Sequence, residues 1–159
     1  MGVRVRLAAE SDADAIVEFG SAVIPAHYTP ILGAAVARRQ LTWWNLERIE
    51  SALAAGRIVV AVVGGDIIGV AETGESAGEQ VIWKLYLAPD FRGRSLGVEL
   101  LHRAIEALPA GSDHVLVEHV AGNTRAGRFY EREGFAVVKT EPARSGNPDG
   151  AIVWRRLEL

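Results

Sequence analysis

Three apolar runs in close succession constrain this chain more than any other feature. Residues 58–63 are rich in β-branched side chains, Gly64 and Gly65 supply a tight turn, and residues 67–73 return, which together spell a hairpin. After a loop-like stretch at 76–79, residues 81–87 read as a third, central strand. Pro89 ends it, because proline cannot donate to a ladder. The period then changes: Val98, Leu101, Ile105 and Leu108 fall on one helical stripe. A chain that alternates these two periods must build a sheet and cover it with helices.

The flanks agree. Val3, Val5 and Leu7 alternate with Arg4 and Arg6, the period of a half-buried strand. Ser11, Asp12 and Asp14 precede an apolar run through Ala15, Ile16 and Phe19, and carboxylates in a first turn complement the helix dipole. Pro25 and Pro30 are expected to break that helix around His27, Tyr28 and Thr29. Leu46, Ile49 and Leu53 mark a second helix ending near Gly56, while residues 31–44 give no clear reading. Further on come a strand at 115–120, a short helix at 124–133 stopped by Gly134, and strands at 135–140 and 151–157. The order β-α-α-β-β-β-α-β-α-β-β is that of a mixed α/β sheet with helices on both faces.

Composition narrows function mainly by exclusion. A length of 159 residues suits one domain spanning residues 1–159. Net charge is −3 with both signs interspersed, which argues against a nucleic-acid-binding face and a polybasic membrane contact. With no cysteine, a disulfide, a thiolate metal site and a cysteine nucleophile are impossible. The four histidines are scattered without ligand spacing, so no metal is expected. No apolar run approaches the roughly 18 residues of a membrane span. The opening residues read as a strand rather than a signal peptide, so the expected location is the cytoplasm.

The most informative stretch runs from Leu85, Tyr86 and Leu87 through Ala88-Pro89-Asp90-Phe91 to Arg92-Gly93-Arg94-Ser95-Leu96-Gly97. It passes from strand to glycine turn to helix start. Unpaired N–H groups at a helix N-terminus attract anions, and Arg92 and Arg94 add charge beside them. The stretch has neither the Walker A lysine nor the G-x-G-x-x-G pattern. A plain glycine turn with solvated arginines fits it equally well. A second stretch, residues 123–135, follows a strand: Asn123 is placed to cap a helix, Ala126, Phe129, Tyr130 and Glu133 share a face, and Gly134 suits a left-handed stop. Alone, it reads as an amphipathic helix with two core aromatics.

Taken together and in this order, the two stretches resemble the GCN5-related N-acetyltransferases (GNAT). The family's diphosphate loop, Arg/Gln-x-x-Gly-x-Gly/Ala, is matched by Arg92 to Gly97, with Ser95 where glycine is usual. Its later motif, Asn-x-x-Ala-x-x-Phe-Tyr followed by Gly-Phe, is filled at Asn123, Ala126, Phe129, Tyr130, Gly134 and Phe135. The resemblance implies the GNAT fold, a mixed and mostly antiparallel sheet of about seven strands with helices on both faces. It also implies acetyl-CoA as cosubstrate and an amine as acceptor.

Carried over position by position, the resemblance gives Leu85 and Leu87 main-chain pairing with the pantetheine arm where the central strand splays. Tyr86 lies between them in the cofactor segment. Arg92, Gly93, Arg94, Ser95, Leu96 and Gly97 would hold the diphosphate. Asn123, Ala126 and Phe129 would line the pantetheine side, and Tyr130 would protonate the departing thiolate, which a phenol of pKa near 10 can do. If Ser95 requires positive φ, it costs about 1 kcal/mol or more. The amine must shed a proton, so a base is useful. Some relatives carry a glutamate where this chain has Val81; Glu72, Glu79, Glu118 and His119 are the candidates here, with Glu72 and His119 foremost. His27 and Tyr28, near Trp43 and Trp44, are the candidate acceptor-binding residues. A homodimer is a family expectation, and a non-catalytic acyl-CoA-binding module of the same fold is the alternative function.

Overall fold

The computed structural model describes residues 2–159. Its strands are β1 (Arg4–Leu7), β2 (Ile58–Val63), β3 (Asp66–Ser76), β4 (Glu79–Leu87), β5 (His114–Val120), β6 (Ala136–Glu141) and β7 (Ile152–Glu158). Its helices are α1 (Ala13–Leu32), α2 (Ala34–Arg39), α3 (Leu46–Ala54), α4 (Leu96–Glu106) and α5 (Thr124–Arg132). The packing divides into two compact units, one holding the chain up to Thr73 with Lys84–Leu108, the other holding Gly74–Trp83 and Pro109–Leu159. The seven strands run in the order β1-β2-β3-β4-β5-β7-β6. β4 pairs with β5 in parallel, with Val81 opposite Leu116, whereas β1–β2, β2–β3, β5–β7 and β6–β7 are antiparallel. This is the mixed sheet anticipated from the order of the elements, and its mostly antiparallel pairing is what the resemblance implied.

In the first unit, Ile16, Phe19 and Ile24 of α1 pack with Ile49 and Leu53 of α3 on Ile58, Val60 and Val70 of the sheet. Helical spacing on one side and strand spacing on the other deliver these apolar groups to one layer. In the second unit, Val81, Leu116 and Trp154 form a smaller cluster, joined by Trp83 and Ile152. At the margin of the sheet, every residue of β6 is exposed, and its register against β7 shifts between Val137 and Lys139.

Two expectations need correction. Pro25 and Pro30 do not break the first helix: α1 runs through both. A helical proline forfeits the bond to the carbonyl four residues earlier. Those carbonyls belong here to the exposed Ser21 and Ala26, where water can satisfy them. The helix ends instead at Gly33, whose φ of 85° leads directly into α2 and a 3-10 turn at Gln40–Trp43, so the stretch without a clear sequence reading is helical. The expected loop at 76–79 is a two-residue turn, with φ of 51° at Ala77 and 81° at Gly78. Two positive φ values match the right-handed twist of flanking strands.

Gly20, in the interior of α1, is fixed by Trp44. A Cβ at Gly20 would lie 2.0 Å from Trp44 Cε2, and the indole Nε1 donates to Ile16 O and Val17 O, each at 3.2 Å. Replacing a helical glycine by alanine normally stabilises by about 1 kcal/mol. Here the overlap reverses the sign: Gly20→Ala is expected to lower stability by about 1–3 kcal/mol, as overpacking does. Urea titration of the two proteins measures this.

Candidate functional site

The passage from β4 to α4 is built by backbone conformations that side chains resist. A single 3-10 turn at Pro89–Phe91 leads to an extended Arg92, and then Gly93 (φ 80°) and Ser95 (φ 63°) adopt left-handed conformations. A Cβ at Gly93 would meet nothing within 4 Å, so its φ, not its surroundings, demands glycine. Ser95 makes no side-chain capping bond at the start of α4. The first-turn N–H groups of Leu96, Gly97 and Val98 therefore lack intrahelical acceptors and keep the positive end of the helix dipole available. Arg94 lies over the Phe91 ring, 5.2 Å from its centroid. The positive φ at Ser95 is the costly alternative foreseen for that position.

β4 divides its side chains between two faces. Leu87 is turned toward Gly69 and Leu100, since a Cβ at Gly69 would meet Leu100 Cδ1 at 2.8 Å and Leu87 Cδ1 at 3.0 Å. Lys84 and Tyr86 point the other way. The Tyr86 hydroxyl lies 3.3 Å from that of Tyr28, and its ring meets those of His27 and Trp44 edge-on, each at 6.2 Å. Lys84 donates from Nζ to Trp43 O at 2.9 Å, sits 4.8 Å from the centre of the Trp44 ring, and lies 3.9 Å from Glu72 Oε1. His27, Tyr28, Tyr86, Trp44, Lys84 and Glu72 thus form one unbroken chain of contacts. Trp44 belongs to the core, while Trp43 is exposed beneath the Arg48 guanidinium at 4.4 Å.

Burial governs the ionic end of this chain. It raises the Glu72 carboxyl above its ordinary range, against the opposing pull of Lys84, Arg57 and Arg48. It lowers the Lys84 ammonium against the pull of Glu72, with Arg48 acting in the same direction as burial. Sequence reasoning missed Lys84 and the side-chain placement of Tyr86. The two-residue period of β4, already in view, sets both opposite Leu85 and Leu87.

In the second unit, the Asn123 side chain caps α5 by accepting from Ala126 N at 3.2 Å. Tyr130 is 6% exposed. Its ring is stacked on His119 at 6.1 Å and 24° and meets Phe129 and Phe135 edge-on at 5.3 and 5.5 Å. Arg155 Nε, which can only donate, is 3.0 Å from His119 Nε2. That nitrogen is therefore the acceptor, and the proton belongs on Nδ1, 3.0 Å from Val120 O. Burial, helped by the Arg155 charge and opposed by the Val120 carbonyl, lowers the imidazole's affinity for a second proton. The lone pair of His119 Nε2 is thus engaged by Arg155. Glu118 stands opposite Trp154, raised by burial and by Glu141, and Glu79 lies 3.5 Å from His114 Nε2. Among the described residues no group of histidines and carboxylates is arranged to hold a metal, and no helix is long and apolar enough to cross a membrane.

Residues 54–137 match the family model of the acetyltransferase (GNAT) domain. The PaiA N-acetyltransferase of Thermoplasma acidophilum, solved with coenzyme A, superposes with a TM-score of 0.84 at 18% identity, covering 100% of both chains. For yncA of Salmonella typhimurium, solved with its cofactor acetyl-CoA, the TM-score is 0.70 at 21% identity over 100% of this chain and 95% of that one. Ard1 of Thermoplasma volcanium gives 0.70 at 16% identity over 100% and 99%. At such identities the likeness concerns the fold. No curated protein matches the chain in sequence.

The geometry generates two expectations. Ser95→Gly relieves a left-handed conformation costing about 1–2 kcal/mol and gives back about 0.5–1 kcal/mol through a freer unfolded chain, so a net gain of up to about 1.5 kcal/mol is expected in denaturant unfolding. Glu72 binds its proton more tightly when folded. Its stabilising contribution is therefore complete below the ordinary carboxyl range and is lost as pH rises through its raised value. Glu72→Gln should flatten that decline when stability is titrated against pH.

Proposed function

The chain belongs to the GNAT acetyltransferases, and on that premise we propose that it transfers the acetyl group of acetyl-CoA to an amine by direct attack in a ternary complex. The observation that carries the reading is the start of α4. Two left-handed residues there leave amides without a side-chain cap in the loop Arg92 to Gly97, which follows the family's diphosphate pattern except at Ser95. A diphosphate held by fixed N–H groups on the positive end of a dipole requires little reorganisation.

In this reading the amides of the loop grip the diphosphate, Leu85 and Leu87 offer main-chain groups to the pantetheine arm, and an N–H at Leu85 polarises the thioester carbonyl. The amine attacks that carbonyl carbon, the carbon–sulfur bond breaks, and Tyr130 gives its proton to the departing thiolate. Asn123, Ala126 and Phe129 serve the cofactor's pantetheine side. Glu72 is the base: burial brings its carboxyl closer to neutral pH, where proton abstraction is effective. His27 and Tyr28, joined to Glu72 through Tyr86, Trp44 and Lys84, are assigned to the acceptor. No metal enters the scheme.

Acetyl-CoA at 100 times its Kd is expected to stabilise the protein by about 2.7 kcal/mol, read as a rise in Tm. In an assay of thiol release with a panel of amines, Tyr130→Phe is expected to lower kcat about 10²-fold, the scale of general acid catalysis, with coenzyme A affinity unchanged. Glu72→Gln should remove the acidic limb of the kcat/KM profile. Saturable binding of acetyl-CoA without acetylation of any amine would instead identify an acyl-CoA-binding module.

A further inference from the structure

We propose that Arg155 orients the Tyr130 phenol through His119, which makes it a positioning residue for the proton transfer assigned to that tyrosine; the inference rests on that assignment. Arg155 and His119 are diagonal neighbours on one face of the β5–β7 pair, where His119 is opposite Val153 and Arg155 opposite Val117. Diagonal neighbours lie within reach of long side chains, and here they meet in a single directed bond, Arg155 Nε to His119 Nε2 at 3.0 Å. The other ring nitrogen is tied to Val120 O at 3.0 Å. A ring held at both nitrogens cannot turn, and its plane lies 24° from that of Tyr130.

Arg155 also reaches the chain at Phe135. Its Nη1 reaches Phe135 O at 3.5 Å, Phe135 N donates to Tyr130 O at 2.9 Å, and the Phe135 ring meets the Tyr130 ring edge-on at 5.5 Å. One guanidinium thereby holds the His119 ring and the main chain of Phe135, two residues whose rings both meet that of Tyr130. Gly127, one helical turn before Tyr130, shows how closely α5 approaches the pair. A Cβ there would lie 3.3 Å from His119 Cε1 and 3.4 Å from Arg155 Nη2. An interior helical glycine costs about 1 kcal/mol relative to alanine, and at this position it leaves the helix room over Arg155 and His119. The Asn-x-x-Ala-x-x-Phe-Tyr pattern leaves both Gly127 and Arg155 unspecified. An acid that must meet a departing sulfur depends on such support, since small misplacements cost large factors in rate.

The test is a double-mutant cycle on the full chain, with Arg155→Met in the wild-type and Tyr130→Phe backgrounds. NMR reports the His119 tautomer and the rate of Tyr130 ring flipping. The expected result has four parts: His119 carries its proton on Nδ1, Arg155→Met speeds ring flipping, it lowers kcat on the order of 10-fold with KM for acetyl-CoA unchanged, and it causes no further loss once Tyr130 is phenylalanine. If Arg155→Met fails to fold, Arg155→Lys, which keeps the charge but lacks the Nε donor, takes its place in the same cycle. Equal losses in both backgrounds, an Nε2-protonated His119, or ring flipping indifferent to Arg155 would each overturn the proposal. A wild-type protein without acetyl transfer defeats the enzymatic reading separately, and the tautomer and ring measurements then decide the positioning claim alone.

Discussion

β4 has to satisfy two environments with one run of alternating side chains, and much of the candidate chemistry depends on that constraint. Leu85 and Leu87 go to one face of the strand. Lys84 and Tyr86 go to the other, where they meet Trp44, Tyr28 and Glu72. A one-residue slip would exchange the two sets and turn Lys84 onto the face that Leu85 and Leu87 occupy. The paired Gly69, whose missing side chain makes space for Leu87, and the tight turn at Ala77 and Gly78 hold the strand in its register.

Local sequence preferences are overruled at a few places, and these cluster around the groups with chemical potential. Ser95 takes a left-handed conformation, Gly127 sits inside a helix, and Glu72 and Lys84 are largely withdrawn from water. Each choice is unfavourable in isolation. Conflict between local preference and global fold is expected where geometry serves something besides stability. Gly20 is different: its close approach to Trp44 serves packing, which shows that a forced glycine is not in itself a mark of function.

The strands were legible because their signals are local, and β2 begins and ends where the β-branched run and the Gly64-Gly65 turn put it. The loop and the Asn123–Tyr130 helix were legible because their residues are contiguous. Three features were not. The passage of α1 through Pro25 and Pro30 depends on which carbonyls face water, and residue order alone does not state this. The Glu72–Lys84 pair was half visible, since Glu72 stood out as a carboxylate while its partner lay on the next strand. His119 attracted notice as a titratable group, but its commitment to Arg155 joins residues 119 and 155, and only the pairing of β5 with β7 brings them together.

β6 carries a separate consequence. It closes the strand order at one end, so one side of its backbone presents an open row of hydrogen-bonding groups, and Val137 and Val138 are 53% and 52% exposed. A flat, apolar rim of this kind invites uncontrolled strand addition between molecules. The register shift after Val137 twists the rim, and Lys139, held over the Trp154 ring at 5.1 Å and within 3.9 Å of Glu141, places a charge on it. The irregularity in this strand is thus a guard against self-templated fibres.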